Sequence, residues 1–232
     1  AVIQYTGGTT GVPKGAVLTQ YNMTAASIAV VHWCIEMVDN EPPEMKRVLA
    51  IIPMFHVYGE VCCICYAAFA KQTLVILPRF DIDEVFDTLA KHDQWSYWPA
   101  VPTMLQALFW HPRVKEFDWH RKFVYCGTGA APASLELYER TRDWDFNFYE
   151  GYGMSETAAL AVSTPGGRPK VGSVGVPYID MDIRIVDDDG NDVPIGERGE
   201  IWMKGAFVMR GYWNKPEETA NAFTEDGWLK TG

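Results

Sequence analysis

Positive charge is scarce in this chain. Its 20 Lys and Arg are outnumbered by 30 Asp and Glu, giving a net charge of −10. The general basic surface that nucleic acid selects is therefore missing, and any anionic ligand must be held by local features. Cysteine is sparse too. The five, Cys34, Cys62, Cys63, Cys65 and Cys126, are odd in number and lack framework spacing, which argues against a disulfide scaffold. The run from Cys62 to Cys65 could hold a metal. Its neighbours Val61, Ile64, Tyr66 and Ala67 fit a buried strip instead, where free Cys is common, so reduced thiols in a cytoplasmic protein are expected. There is no internal repeat, no low-complexity tract and no charged-then-apolar leader. Val48 to Ala70 is almost wholly apolar, but Pro53, His56 and Glu60 interrupt it. A strand and a covered helix explain that stretch without a membrane span. Peripheral contact with a membrane stays open.

What is present is the composition of a folded protein. The 232 residues are 48% hydrophobic and 13% aromatic, enough for a substantial core. The first residue is not Met and already sits in an apparent strand, and Leu229-Lys230-Thr231-Gly232 carries no polar tail. A fragment of a longer protein, cut at both ends, is expected. Nothing reads out an oligomeric state.

Strand and helix patterns alternate along most of the chain. Thr19 can cap a helix to about Met37, Arg47–Pro53 reads as a buried strand, and Val57–Ala70 as a covered helix. Thr73–Leu77, Ser96–Ala100, Phe123–Cys126 and Phe146–Tyr149 read as further strands. Helices at Asp81–His92, after Pro102 and at Ala133–Arg142 separate them. Such alternation predicts the α/β class, a mostly parallel sheet layered with helices, over residues 1–168. Near Gly166-Gly167-Arg168-Pro169 the texture changes. Residues 169–232 read as a small β-rich, distorted barrel-like subdomain with strands Met181–Val186 and Glu200–Lys204 and one helix near Pro216–Phe223. Between those strands, Asp187-Asp188-Asp189-Gly190-Asn191 reads as a solvated turn rather than a calcium loop.

Two stretches carry chemistry. Tyr5-Thr6-Gly7-Gly8-Thr9-Thr10-Gly11-Val12-Pro13-Lys14-Gly15 has four glycines that let the backbone curl its N–H groups around an anion. Thr6, Thr9 and Thr10 add hydroxyls, and Lys14 adds a positive charge. These are the parts of a polyphosphate cradle. It is not the kinase and GTPase loop, which needs Gly-Lys followed by Ser or Thr; here Lys14 stands between Pro13 and Gly15. The second stretch is Gly151-Tyr152-Gly153-Met154-Ser155-Glu156-Thr157, placed after a strand, where ligands of α/β sheets bind. Tyr152 offers a flat face to a purine, Ser155 a hydroxyl to a phosphate oxygen, and Glu156 a hard carboxylate to magnesium. Taken alone, the same heptapeptide is a turn into a helix with Ser155 as cap.

Together these stretches resemble the adenylate-forming superfamily of acyl-CoA synthetases, luciferase and peptide-synthetase adenylation domains. Gly8 stands where that family usually has Ser, and Ser155 where it usually has Thr. Three later segments fit in the same order: Gly196-Glu197-Arg198-Gly199-Glu200-Ile201, Gly211-Tyr212-Trp213 and Gly227-Trp228-Leu229-Lys230-Thr231-Gly232. The resemblance implies an ATP-dependent ligase that converts a carboxylic acid to an acyl-adenylate and then to acyl-CoA, releasing pyrophosphate and AMP. It implies ATP/AMP, Mg2+ and coenzyme A as cofactors and co-substrates. Thr6, Gly7, Gly8, Thr9, Thr10, Gly11 and Lys14 would take the phosphates. Gly129, Ala130 and Ala131, in Gly127–Pro132, would lie beside adenine, with Tyr152 and Gly153 on its other side. Ser155 would touch the α-phosphate, and Glu156 with Thr6 would hold magnesium. His56, in Pro53–Gly59, would border the acid, although a lone His is often structural. Lys14, His56, Ser155 and Glu156 are thus the catalytic candidates. The family's mobile C-terminal domain is not in the chain, so little turnover by the chain alone is expected. The wording is most similar to medium- or long-chain fatty acyl-CoA synthetases. An aryl-CoA ligase is the alternative within the family, and a non-catalytic nucleotide- or partner-binding module the alternative outside it. Apolar Val57–Ala70 could wall an acyl tunnel or be plain core.

Overall fold

A computed structural model of the chain describes residues 2–6, 13–38, 46–166 and 169–232. In chain order the elements are β1 (Val2–Thr6), β2 (Lys14–Leu18), α1 (Gln20–Val38), β3 (Arg47–Ala50), α2 (Val57–Gly59), α3 (Tyr66–Phe69), β4 (Thr73–Ile76), α4 (Ile82–Ala90), β5 (Trp95–Ala100), α5 (Pro102–Trp110), α6 (Trp119–Lys122), β6 (Phe123–Thr128), α7 (Leu135–Arg142), β7 (Tyr149–Tyr152), β8 (Val162–Ser163), β9 (Val176–Pro177), β10 (Met181–Val186), β11 (Glu200–Gly205), α8 (Pro216–Ala222) and β12 (Leu229–Lys230). Contacts gather them into two compact units. The first is Ala1–Ala26, Met154–Ala161 and Pro177–Gly232; the second is Ser27–Gly153 and Val162–Val176. This differs from a division at residue 168. The β-rich C-terminal part shares its unit with residues 1–26 and 154–161, because β2 pairs with the chain at 211–213.

The second unit is the α/β body. The sheet runs in the order β4-β3-β5-β6-β7-β8-β9. β3 is parallel to β4 and β5, β5 to β6 and β6 to β7, and β8 returns antiparallel to β7. All six residues of β5 are buried, as expected of a central strand covered on both faces, which has no polar side to show. Trp95, Trp98, Phe109, Trp119, Phe123 and Phe146 form the middle of the core. Local chemistry sets the helix starts. Asp81 accepts the Glu84 N–H at 3.1 Å and Ser134 the Leu137 N–H at 3.2 Å, while Pro102 fills a first-turn position that needs no N–H.

Two expected elements differ. The strand expected at Phe146–Tyr149 pairs instead over Tyr149–Tyr152. Phe146 and Phe148 are buried core residues ahead of it, because apolar alternation reports burial and not ladder pairing. Val57–Ala70 is not one α-helix either. It is α2, a wide-turned π segment at Glu60–Cys65, then α3. Cys34, Cys62, Cys63 and Cys126 are buried and Cys65 half-buried, all with free thiols. Among the described residues there is no cluster of metal-ligating side chains and no helix long and apolar enough to cross a membrane.

The first unit is antiparallel. β1 and β2 form a hairpin in which Thr6 faces Lys14 and Tyr5 faces Gly15. The segment at 211–213 extends β2, with Val17 N–H donating to the Gly211 carbonyl at 2.8 Å and Trp213 N–H to the Gly15 carbonyl at 2.7 Å. β10, β11 and β12 make a separate sheet. The acidic run after β10 is a turn: Asp187 Oδ1 accepts the N–H groups of Asp189 and Asn191 at 3.0 and 2.9 Å.

Candidate nucleotide site

The first unit contains a cavity of about 630 Å3, with Thr6, Lys14, Ser155, Glu156, Tyr212 and Glu218 among its walls. That volume suits a small-molecule ligand (pockets run from about 300 to 1,000 Å3). Thr6 is the last residue of β1 and Lys14 the first of β2, directly across the ladder. The sequence places all of Tyr5–Gly15 in a loop, whereas Tyr5, Thr6, Lys14 and Gly15 are strand residues. Gly7, Gly8, Thr9, Thr10 and Gly11 lie outside the described residues. The fixed Pro-Lys-Gly ending has a packing reason. A Cβ on Gly15 would stand 2.6 Å from Ile3 Cγ2, so a side chain there would force the β-branched Ile3 aside.

Ser155, Glu156 and Thr157 form a 3-10 turn. The cap is not Ser155. Thr157 Oγ1 accepts the Met154 N–H and donates to the Met154 carbonyl, both at 3.1 Å. Ser155 Oγ makes no hydrogen bond among the described residues and faces the cavity wall. Ala158 and Ala159 follow in the left-handed region, at φ 49° and 71°, a conformation that costs L-residues about 1–2 kcal/mol each. Ala159 N–H to the Met154 carbonyl at 3.1 Å and complete burial of Ala158 hold them there. This left-handed pair follows directly on Ser155 and Glu156, both of which line the cavity.

Glu156 is only 5% exposed. Its main-chain carbonyl accepts the Met209 N–H at 2.7 Å. Its Oε1 accepts the Tyr212 hydroxyl at 2.7 Å, and no other hydrogen bond reaches the carboxylate among the described residues. Burial, then the Glu156 carboxylate, pushes the Tyr212 phenol well above its ordinary pKa, so the phenol stays protonated and donates. The Tyr212 ring lies 4.6 Å from Lys14 Nζ, and Glu218 Oε2 is 3.6 Å from the same nitrogen. Tyr212 and Glu218 were not among the residues predicted from sequence. The only signal for Tyr212 was its place in Gly211-Tyr212-Trp213, and Glu218 had none.

The remaining candidates belong to the second unit. Gly129, Ala130 and Ala131 follow β6, and Tyr152 ends β7 with Gly153 just after it, so both groups sit at the carboxyl ends of adjacent parallel strands. A Cβ on Gly129 would come to 3.3 Å from the Gly151 carbonyl, and Ala130 is left-handed at φ 67°. Buried Glu150 ties the two together: it accepts the Ala133 N–H at 2.8 Å and the Tyr138 hydroxyl. His56 is exposed and caps α2, with Nδ1 accepting the Tyr58 N–H at 3.1 Å. In the neutral ring this puts the proton on Nε2, leaving one donor free for a ligand. Gly59 is needed because a Cβ there would strike the Pro53 carbonyl.

Comparison with known proteins bears on the family and the fold. The AMP-binding enzyme family matches residues 1–213. A long-chain-fatty-acid–CoA ligase from Bacillus subtilis is 36% identical over 235 residues, which cover all of this chain and 41% of that protein. A feruloyl-CoA synthase from an Amycolatopsis species is 35% identical, with all of this chain and 46% of that protein covered. The chain thus spans about two fifths of the length of the curated relatives it matches. Among solved structures, the o-succinylbenzoate coenzyme A synthetase of Bacillus subtilis in complex with ATP and magnesium ion superposes with a TM-score of 0.83 at 31% identity, over 99% of this chain and 46% of that one. A family match over most of the chain, with the motifs in order and a shared fold, decides the matter: the chain belongs to the AMP-binding enzyme family, the adenylate-forming superfamily that its motifs resemble.

Proposed function

We propose that this chain is the nucleotide-binding part of an AMP-forming acid–thiol ligase that acts on a medium- or long-chain fatty acid. In the proposed reaction the carboxylate attacks the α-phosphorus of ATP, pyrophosphate leaves, and the thiol of coenzyme A then takes the acyl group from the adenylate. The observation that carries the reading is the grouping of Lys14, Ser155 and Glu156 on one cavity, with Glu156 buried and, among the described residues, only one of its oxygens bonded. A buried carboxylate with an oxygen left over is costly unless a cation or donor meets it. Glu156 with the Thr6 hydroxyl offers hard oxygens that fit magnesium, which would supply charge neutralisation on the phosphates.

The chain's own residues are then asked for positioning and electrostatics. Lys14 and the hydroxyl of Thr6 meet the β- and γ-phosphates, together with Gly7–Gly11. Ser155 Oγ, with no other partner among the described residues, donates to an α-phosphate oxygen. Within the second unit, Gly129, Ala130 and Ala131 offer small residues to the base, Tyr152 a ring face, and His56 Nε2–H a donor to the acid side. The aryl-CoA ligase reading keeps its own support, since feruloyl-CoA synthases are nearly as similar as fatty acyl ligases.

A partner-binding module is the reading to test against. Titration calorimetry with ATP and magnesium separates them. Lys14→Ala and Glu156→Ala should each weaken nucleotide binding by about 10-fold or more, as loss of a charged contact worth about 1.5–3 kcal/mol would do. Unchanged binding in both would favour the module.

A further inference from the structure

We propose that Tyr212 is a positioning residue with two separable duties: its hydroxyl decides which Glu156 oxygen is offered to the cation, and its ring seats Lys14 for the phosphates. This rests on the nucleotide reading above. Tyr212 is held at both ends. Its N–H donates to Thr219 Oγ1 at 2.8 Å, and Thr219 Oγ1 donates in turn to the Lys215 carbonyl at 2.8 Å, at the start of α8. Its backbone bridges to Ala16 in β2. Gly211 just before it has φ 146°, and a Cβ there would stand 2.6 Å from Thr219 Cγ2. Only glycine allows that approach, which explains Gly211. The far end of the side chain is pinned to Glu156 Oε1 at 2.7 Å. Glu156 is itself fixed through its carbonyl to the Met209 N–H.

The consequence is directional. Oε1 is engaged by the phenol, so Oε2 is the oxygen with no protein donor among the described residues and is the one that would be offered to a cation. Groups that orient a metal ligand in this way are worth about 10- to 100-fold in metal affinity. The ring does something different. Lys14 Nζ lies 4.6 Å from its centroid, inside the range of about 6 Å over which an aromatic face attracts a cation. Phenylalanine keeps the ring and loses the hydroxyl; leucine loses both.

The test is ATP binding to the whole chain by titration calorimetry, first in EDTA and then across a magnesium series. Tyr212→Phe should raise the magnesium concentration that gives half of the metal-dependent gain by about 10-fold or more, with affinity in EDTA unchanged. Tyr212→Leu should show the same shift and also bind ATP about 2- to 5-fold more weakly in EDTA. Thr219→Val, which frees the backbone anchor but leaves phenol and carboxylate in place, should shift the magnesium midpoint in the same direction. It stands in for Tyr212→Phe if that variant fails to fold. A Tyr212→Phe midpoint equal to wild type overturns the proposal while leaving the nucleotide reading intact. So does a Tyr212→Phe variant that loses as much EDTA affinity as Tyr212→Leu, because the hydroxyl would then be supporting general packing. Wild-type binding without any magnesium gain would overturn the cation reading itself, and this inference with it.

Discussion

Replacing Glu150 by alanine should weaken the second unit by about 3 kcal/mol or more, since it removes two hydrogen bonds to a buried carboxylate at about 1.5–3 kcal/mol each. Glu150 is 6% exposed. One oxygen accepts the Ala133 N–H at 2.8 Å and the other the Tyr138 hydroxyl. Burial, and after it Glu150, holds the Tyr138 phenol well above its usual range, so the phenol donates. The Tyr138 ring stacks on Phe148 at 4.5 Å and would stay in place after the substitution, leaving its hydroxyl without the buried acceptor. Glu150→Gln is the informative companion. Its carbonyl can still accept from Ala133, and its amide can donate to the Tyr138 oxygen, so the cost should fall to about 1 kcal/mol. Urea unfolding followed by tryptophan fluorescence reads both, since Trp95, Trp98 and Trp119 are buried in this unit. A loss of 3 kcal/mol is large against a typical total of about 5–15 kcal/mol. If alanine cost under about 0.5 kcal/mol, the level of an ordinary surface change, the carboxylate would not be the tie between Ala133 and α7, and if glutamine cost as much as alanine, hydrogen bonding alone would not account for the loss.

Two further outcomes follow from charges elsewhere in the chain. Burial raises the Cys62 thiol from its ordinary 9.0 to about 12, and raises Cys34, Cys63 and Cys126 as well. Because the folded-state value is the higher one, this stability is complete below pH 9 and is lost as pH climbs from 9 toward the folded value. For Cys62 this should cost about 2 kcal/mol between pH 8 and 10.5, and Cys34, Cys63 and Cys126 act in the same direction. Urea midpoints that stay flat to pH 10.5 would contradict it. At the cavity, Glu218 is half-exposed and pairs with Lys14 at 3.6 Å, a contact that contributes at most about 1 kcal/mol to stability. Glu218→Gln should leave the unfolding midpoint unchanged and tighten magnesium-free ATP binding about 2- to 5-fold at low salt, the size of one screened charge contact; weaker binding would mean that Glu218 holds Lys14 ready for the ligand.

Lys14 and Glu156 stand out in the sequence because each belongs to a short motif that resembles the family's, and the structure puts both on the wall of one cavity. Asp81 and Pro102 were legible because a helix start is decided within one turn, whereas Ser134, the cap of α7, reads from sequence as lying inside its helix. Tyr212 was not: its acceptor, Glu156, lies 56 residues away, and nothing local tells a tyrosine which carboxylate it will meet. The hairpin of β1 and β2 was hidden for a similar reason. Its glycine-rich connection reads as loop on both sides, and the segment that completes it begins at Gly211. The π segment Glu60–Cys65 contains no Gly or Pro to announce it, so its wide turns come from packing and not from propensity. Where periodicity was the only guide, as at Phe146–Tyr149, it located buried side chains correctly and put the paired strand three residues too early.

The central claim, adenylation of a carboxylic acid at a centre built on Lys14, Ser155 and Glu156, is met most directly by carboxylate-dependent ATP–pyrophosphate exchange. The assay should use a full-length protein that carries this chain, with acids from acetate through benzoate to palmitate. The account predicts exchange that peaks with fatty acids and disappears in Glu156→Ala, while a peak with aromatic acids would shift the substrate to the aryl class. No exchange with any acid, in a folded protein that binds ATP, would contradict it.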